Sequence, residues 1–252
     1  MRKLLAAMAV TAIPCLAWGA AASVQGTSAN FTNLTAVSRA FNSNVAAESL
    51  LFATIRNAAE SSSVTSVTDT VNSGQWTTGS ASFPYDHTAA TMRTWCYYRE
   101  NAAAGATTVT VNFSAQINGT FGIGEFSGIA TSNSLFTVYV GSQSVAGDRV
   151  FISSPIVATG AGIIVGAFTT AQTIQLAVGA GEVDTTLSNT RGHLVSRVIS
   201  GAGTYTVQAD PSPNEDSGAI VWHGCEFHEP LAAGGEQPTI LRNAIIRNGV
   251  IR

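Results

Sequence analysis

Thr107-Thr108-Val109-Thr110-Val111-Asn112-Phe113 alternates with a period of two. Val109, Val111 and Phe113 fall on one face, and Thr108, Thr110 and Asn112 on the other. Successive side chains of a strand point to opposite faces, so this segment reads as a strand with one apolar and one polar side. Similar short runs lie on either side of it. Leu50-Leu51-Phe52-Ala53-Thr54-Ile55 is a buried strand, Val64–Asp69 alternates, and Met92–Arg99 is an aromatic strand. Thr120–Phe126, Leu135–Val140, Ile163–Phe168, Ile174–Val178, Leu194–Ile199, Tyr205–Ala209 and Ala219–Phe227 follow, separated by Gly, Asn, Asp and Pro. No long helical period appears after residue 22. About ten to twelve short strands at this spacing predict an all-β fold, an antiparallel β-sandwich of jelly-roll type. Leu51, Ile55, Val109, Val111, Phe113, Ile123, Val165 and Val207 are the expected core.

Composition supports a packed domain. Of 252 residues, 45% are hydrophobic and only 11% are charged. That content with a formal net charge of −3 can bury a core, so disorder is excluded as the state of the whole chain. Binding to nucleic acid through phosphate neutralisation needs a basic stripe, and none is present.

Met1-Arg2-Lys3, the apolar run Leu4–Leu16 and Ala20-Ala21-Ala22 have the layout of a secretory signal peptide cut after Ala22. The other reading of residues 1–22 is an uncleaved N-terminal arm. The run is too short for a membrane span, which takes about 20 apolar residues. Pro14 before Cys15 does not suit a lipoprotein box. Removal of residues 1–22 leaves 10 cations against 15 anions and no lysine. The sandwich is expected over 23–229 and a linker over 230–238. Residues 239–252 form an apolar and basic tail, read as an edge strand or as a hairpin turning at Asn248-Gly249. It is expected to pack on its own domain or to mediate self-association.

Ser66-Val67-Thr68-Asp69-Thr70, Asn72-Ser73-Gly74-Gln75-Trp76, Trp95-Cys96-Tyr97-Tyr98-Arg99-Glu100-Asn101, Thr108–Phe113, Glu125-Phe126-Ser127-Gly128 and Gly203–Val207 form an ordered set. The set resembles a β-sandwich domain that recurs in large bacterial surface and secreted proteins of unassigned function. There a "V-T-D-S-x-G-N-x-W" turn precedes "Y-Y-A-K-N", "T-V-T-V-T-F" and "E-F-S-G". The resemblance covers about residues 24 to 228 and implies architecture and an extracellular setting. It brings no catalytic residues. Arg99-Glu100-Asn101 departs from the usual Lys-Asn, and the tail lies outside the pattern.

Candidate chemistry is sparse. Trp95, Tyr97 and Arg99 share one strand face, opposite Thr94, Cys96 and Tyr98. If exposed, they offer a platform for stacking on a sugar ring; the other reading is core packing. Cys96 and Cys225 could form one bridge in an exported chain, or stand as two buried thiols on different strands. His223 and Cys225 share a strand face and His228 faces away, which makes a poor zinc set. Asp210, Glu215 and Asp216 sit in an acidic loop whose oxygens suit Ca²⁺; no other cofactor is expected. Glu125 is expected to accept backbone N–H groups where Phe126-Ser127-Gly128 turns. No G-x-S-x-G elbow is present, and no carboxylate pair can be assigned across a cleft.

The function expected from these features is a non-catalytic secreted or surface-displayed module for adhesion, carbohydrate binding or structural assembly, with a surface glycan or a protein as partner. A phage virion structural protein (decoration, tail or fibre-associated) is the second reading, and a secreted hydrolase the third.

Overall fold

The computed structural model describes residues 19–57, 62–79, 83–87, 92–143, 151–174, 176–179, 181–184, 190–211, 220–230, 245–247 and 250–251. Every regular element among them is a strand. In chain order they are β1 (Ala22–Ala40), β2 (Leu50–Asn57), β3 (Val64–Asp69), β4 (Thr77–Thr78), β5 (Tyr85–His87), β6 (Met92–Arg99), β7 (Thr108–Ser127), β8 (Leu135–Gln143), β9 (Phe151–Ile152), β10 (Ile156–Ala158), β11 (Ala161–Ile174), β12 (Leu176–Val178), β13 (Glu182–Asp184), β14 (Thr190–Ser200), β15 (Gly203–Tyr205), β16 (Gln208–Pro211), β17 (Ile220–His228), β18 (Ile245–Arg247) and β19 (Val250–Ile251).

Two seven-stranded sheets are stacked. The first has the order β1-β7-β2-β6-β4, with β3 also on β7 and β5 on β6; the second has the order β13-β14-β11-β17-β8-β18-β19. Small sheets β10-β15 and β12-β16-β9 complete the fold. Among the described residues, all ladders are antiparallel except β18 on β8. The fold is therefore an all-β, antiparallel stack of sheets. A jelly roll sends successive strands to alternate sheets. Here β1–β7 stay in the first sheet and the later strands build the others, so the jelly-roll expectation is corrected. The strand count also exceeds ten to twelve, because long strands are joined by many pieces of two to four residues.

The long strands β1 and β7 explain the layering. They pair along their whole length, with register shifts between Phe31 and Leu34 and between Leu34 and Ala36. Asn33 takes φ 55° at this point, a left-handed conformation that asparagine tolerates better than most residues. Irregularities of this kind break the regular ladder and favour a local bend. The odd-numbered side of β7 carries the first core. Val109, Val111, Phe113, Phe121 and Ile123 share one core there with Leu51, Ile55, Val67, Trp76 and Trp95. Phe31 stacks on Phe113 at 5.6 Å within it.

A second core lies between the two large sheets. β1 and β7 pack against β14, β2 against β11, and β6 against β17. Leu50, Phe52, Cys96 and Phe126 of the first sheet meet Ile163, Val165, Leu194, Cys225 and Phe227 of the second. Fully burying such a Phe contributes about 1.5–3 kcal/mol. The approach is close at Gly124, where a Cβ would lie 2.6 Å from Leu194 Cδ2. A third core lies on the far side of the second sheet. Ile164, Phe168, Val195, Ile199 and Trp222 are covered there by Phe151, Ile156, Ala158, Val207 and Ala209. All eight expected core residues are buried.

Two boundaries differ from the sequence reading or refine it. Residues 19–21, assigned above to the leader, belong to the folded body: Ala21 is buried, and its amide donates to Glu229 Oε1 at 2.8 Å. In the tail, β18 and β19 pair antiparallel on either side of Asn248-Gly249, and β18 extends the second sheet along β8. Of the tail expected over 239–252, residues 239–244, 248–249 and 252 lie outside the described residues.

Candidate functional site

The expected sugar platform is a structural joint. β6 is buried or half-buried along its whole length, so alternation could not identify a wet side. Trp95 is only 2% exposed and lies in the first core, with Tyr97 packed against it. A buried ring cannot stack on a sugar, so a platform formed by Trp95, Tyr97 and Arg99 is corrected to core packing plus a loop anchor. Arg99 is the anchor. Its guanidinium donates to the carbonyls of Ser73 (2.8 Å) and Gly74 (3.0 Å), and its Nε lies 3.5 Å from Asp69 Oδ2.

Asp69 organises the same loop from inside. Its Oδ1 accepts the amides of Val71 (2.9 Å) and Asn72 (2.6 Å), and its Oδ2 accepts Trp76 Nε1–H (2.8 Å). Burial pushes its carboxyl up, but these donors outweigh burial and hold it below the usual carboxylate range. Gly74 at φ +82° lets the chain turn back beneath Arg99. The Asp, Asn, Gly and Trp that stood out in the sequence are thus the parts of one rigid loop.

The other buried acids are similarly held. Glu125 is fully buried and accepts the amide of Ala46 (2.8 Å), the Ser49 hydroxyl (2.8 Å) and the Gln25 amide (2.5 Å). It accepts backbone N–H as expected, but from the loop after β1 rather than from its own turn. Glu226 accepts the Tyr139 hydroxyl at 2.8 Å and contacts His228 Nε2 at 3.0 Å. Burial foremost, and then this carboxylate, push the Tyr139 phenol far above its ordinary value. Glu182 accepts the amides of Gly179 and Gln208; burial still pushes its carboxyl up. His193 Nδ1 lies 2.9 Å from Asp184 Oδ2.

The histidine–cysteine strand divides as its alternation requires. His223 and Cys225 face the first sheet, while His228 turns to the other side and stacks on Phe136 at 4.6 Å. His223 Nε2 lies 2.7 Å from Thr54 Oγ1 and ties the two large sheets together. Cys96 and Cys225 are buried free thiols. Among the described residues no group of three His, Cys, Asp or Glu side chains is arranged to hold a metal ion. Of the Ca²⁺ candidates, Asp210 lies in β16, and its backbone pairs with Ala177. Glu215 and Asp216 lie outside the described residues.

The sequence reading missed the polar seam between the sheets. Thr54, Arg56, Thr120, Gly122, Ala167, Thr169 and Gly192 line a gap too tight for a water molecule. Arg56 is 4% exposed and its Nε donates to Met92 Sδ at 2.9 Å. Thr169 Oγ1 is buried with no hydrogen-bond partner among the described residues. The sequence did carry a signal: Leu50–Ile55 is too continuously apolar for a strand with one wet face, so Thr54 and the adjoining Arg56 were bound to be enclosed. No family model matches the chain, and no curated protein or solved structure matches it significantly.

Proposed function

We propose that this chain is an exported, non-catalytic β-sandwich module that acts as a scaffold or interaction unit at a cell surface or in an extracellular assembly. The observation that carries the reading is the use made of its buried ionisable groups. Asp69, Glu125, Glu182 and Glu226 each accept hydrogen bonds that fix a loop or join strands. A catalytic acid or base must be free to exchange a proton with substrate. These groups are instead committed to holding the fold. The signal-like start, the lysine-free body and the resemblance to surface-protein sandwiches support the extracellular setting. With Trp95 enclosed, the reading rests on assembly and protein contact rather than on sugar stacking.

The test is to express the full chain from Met1 in a bacterial host and fractionate it. Recovery outside the cytoplasm, with the N-terminus trimmed near residue 20, supports the proposal. Retention in the cytoplasm with an intact mass would overturn it. A virion structural protein is the second reading, and the tail hairpin favours it. A strand laid on a sheet edge can be laid equally on the edge of a neighbouring copy. If so, the full chain sediments as an assembly, and truncation after Gly235 reduces it to a smaller species.

A further inference from the structure

We propose that Cys96 and Cys225 are a pre-positioned dithiol that closes into a covalent staple between the two large sheets under oxidising conditions. The inference rests on where the two residues meet, not on the proposed function. Cys96 is on β6 of the first sheet and Cys225 on β17 of the second, and these strands pack on each other. Both side chains are fully buried in the core between the sheets. The two side chains are close enough for Cys225 to act directly on the Cys96 thiol. Gly79 roofs the pair: a Cβ built there would lie 3.0 Å from Cys225 Sγ and 3.2 Å from Cys96 Cβ.

The neighbouring contact fixes the register. Thr54 is the cross-strand partner of Cys96, and His223 is two residues before Cys225 on the same face. The Thr54–His223 hydrogen bond, 2.7 Å long, therefore sits beside the thiol pair. One polar tie and one sulfur contact cross the same seam together. A bridge here would close a loop of about 130 residues, near the upper end of the range in which cross-linking constrains an unfolded chain.

The chemistry is thiol–disulfide exchange with an external disulfide such as oxidised glutathione. One cysteine thiolate attacks a sulfur of the oxidant, forms a mixed disulfide and releases one glutathione. The second cysteine thiolate attacks the protein sulfur of that mixed disulfide, and the second glutathione leaves. Each cysteine gives up one electron, the oxidant is reduced to two thiols, and those thiols take up the two protons. Burial first, and then the neighbouring Cys225, push the Cys96 thiol well up, so thiolate is scarce once the sheets have closed. Exchange is therefore faster while β6 and β17 are coming together than after the sheets have closed, and the final approach of the two strands brings the sulfurs into place for it.

The experiment uses the full chain with Cys15→Ser, which leaves two thiols. It is unfolded and refolded with oxidised glutathione, or with reduced glutathione as comparator. The oxidised sample is expected to be monomeric, to lose 2 Da against the reduced sample, and to resist alkylation after denaturation. Its melting temperature should lie roughly 5–15 °C above that of the reduced form. Two free thiols after oxidative refolding to the native fold would overturn the proposal. So would a bridge that lowers the melting temperature. Should Cys15→Ser fail to fold, tryptic mapping of the unmodified chain decides the matter. A covalent link between Thr94–Arg99 and Val198–Arg242 supports the staple, and Cys15 bridged to either cysteine overturns it.

Discussion

The two halves of β7 are one continuous strand in two different surroundings. From Thr108 to Phe113 its even residues are half-buried and its odd residues fully buried. From Phe121 to Phe126 every residue is buried. In both halves the odd side contributes to the first core. The even side faces solvent in the first half and the second sheet in the second half. Alternation thus reports how many faces of a strand are covered, and it disappears where both are.

Substitutions along β7 can break or sharpen that contrast. Phe121→Ala empties part of the first core and should cost about 3–5 kcal/mol in urea unfolding. Val111→Ala, on the same side of the first half, should cost about 1–3 kcal/mol; no change would place Val111 in solvent. Gly124→Ala tests the even side of the second half. Its methyl would press on Leu194, and overpacking of this kind costs about 1–3 kcal/mol. A neutral result would mean that the sheets are less closely packed here than described. Thr110→Val is the matching change in the first half. Its hydroxyl shares only an exposed hydrogen bond with Ser38, so melting should move by no more than about 0.5 kcal/mol equivalent.

Acid gives a separate test of the loop between β3 and β4. The Asp69 carboxyl titrates lower in the folded state than in the unfolded one. Its contribution is therefore complete above the pH at which an unfolded aspartate titrates, about pH 4, and fades as pH falls through its folded value. Asp69→Asn should be less stable at neutral pH and lose less on acidification. Equal acid slopes for the two proteins would remove Asp69 as a source of that dependence.

The all-β class and the core were legible because Val109, Val111 and Phe113 sit on a strand with one wet face. The layering was not. Leu50–Ile55 reads equally well as the middle of a two-layer or a three-layer stack, since periodicity is lost once both faces are dry. Trp95 and Tyr97 failed as a platform for the same reason: β6 has no open face, and exposure is a property of the neighbouring layer. The loop from Asp69 to Trp76 was visible as a motif, but the role of Arg99 was not, because it acts across about two dozen residues of chain. The Cys96–Cys225 contact depends on how two separately built sheets are stacked, which no local pattern encodes.

The hydrogen bond from Ala21 to Glu229 has a mechanical consequence. It places the start of β1 beside the chain just beyond the end of β17, ahead of the tail strands β18 and β19. Tension applied between Ala21 and Glu229 would load the ladders from their terminal rungs, Ala22 with Ser127 and Gly162 with His228. Rungs loaded in this way open one after another, whereas strands pulled lengthwise past each other must break many at once.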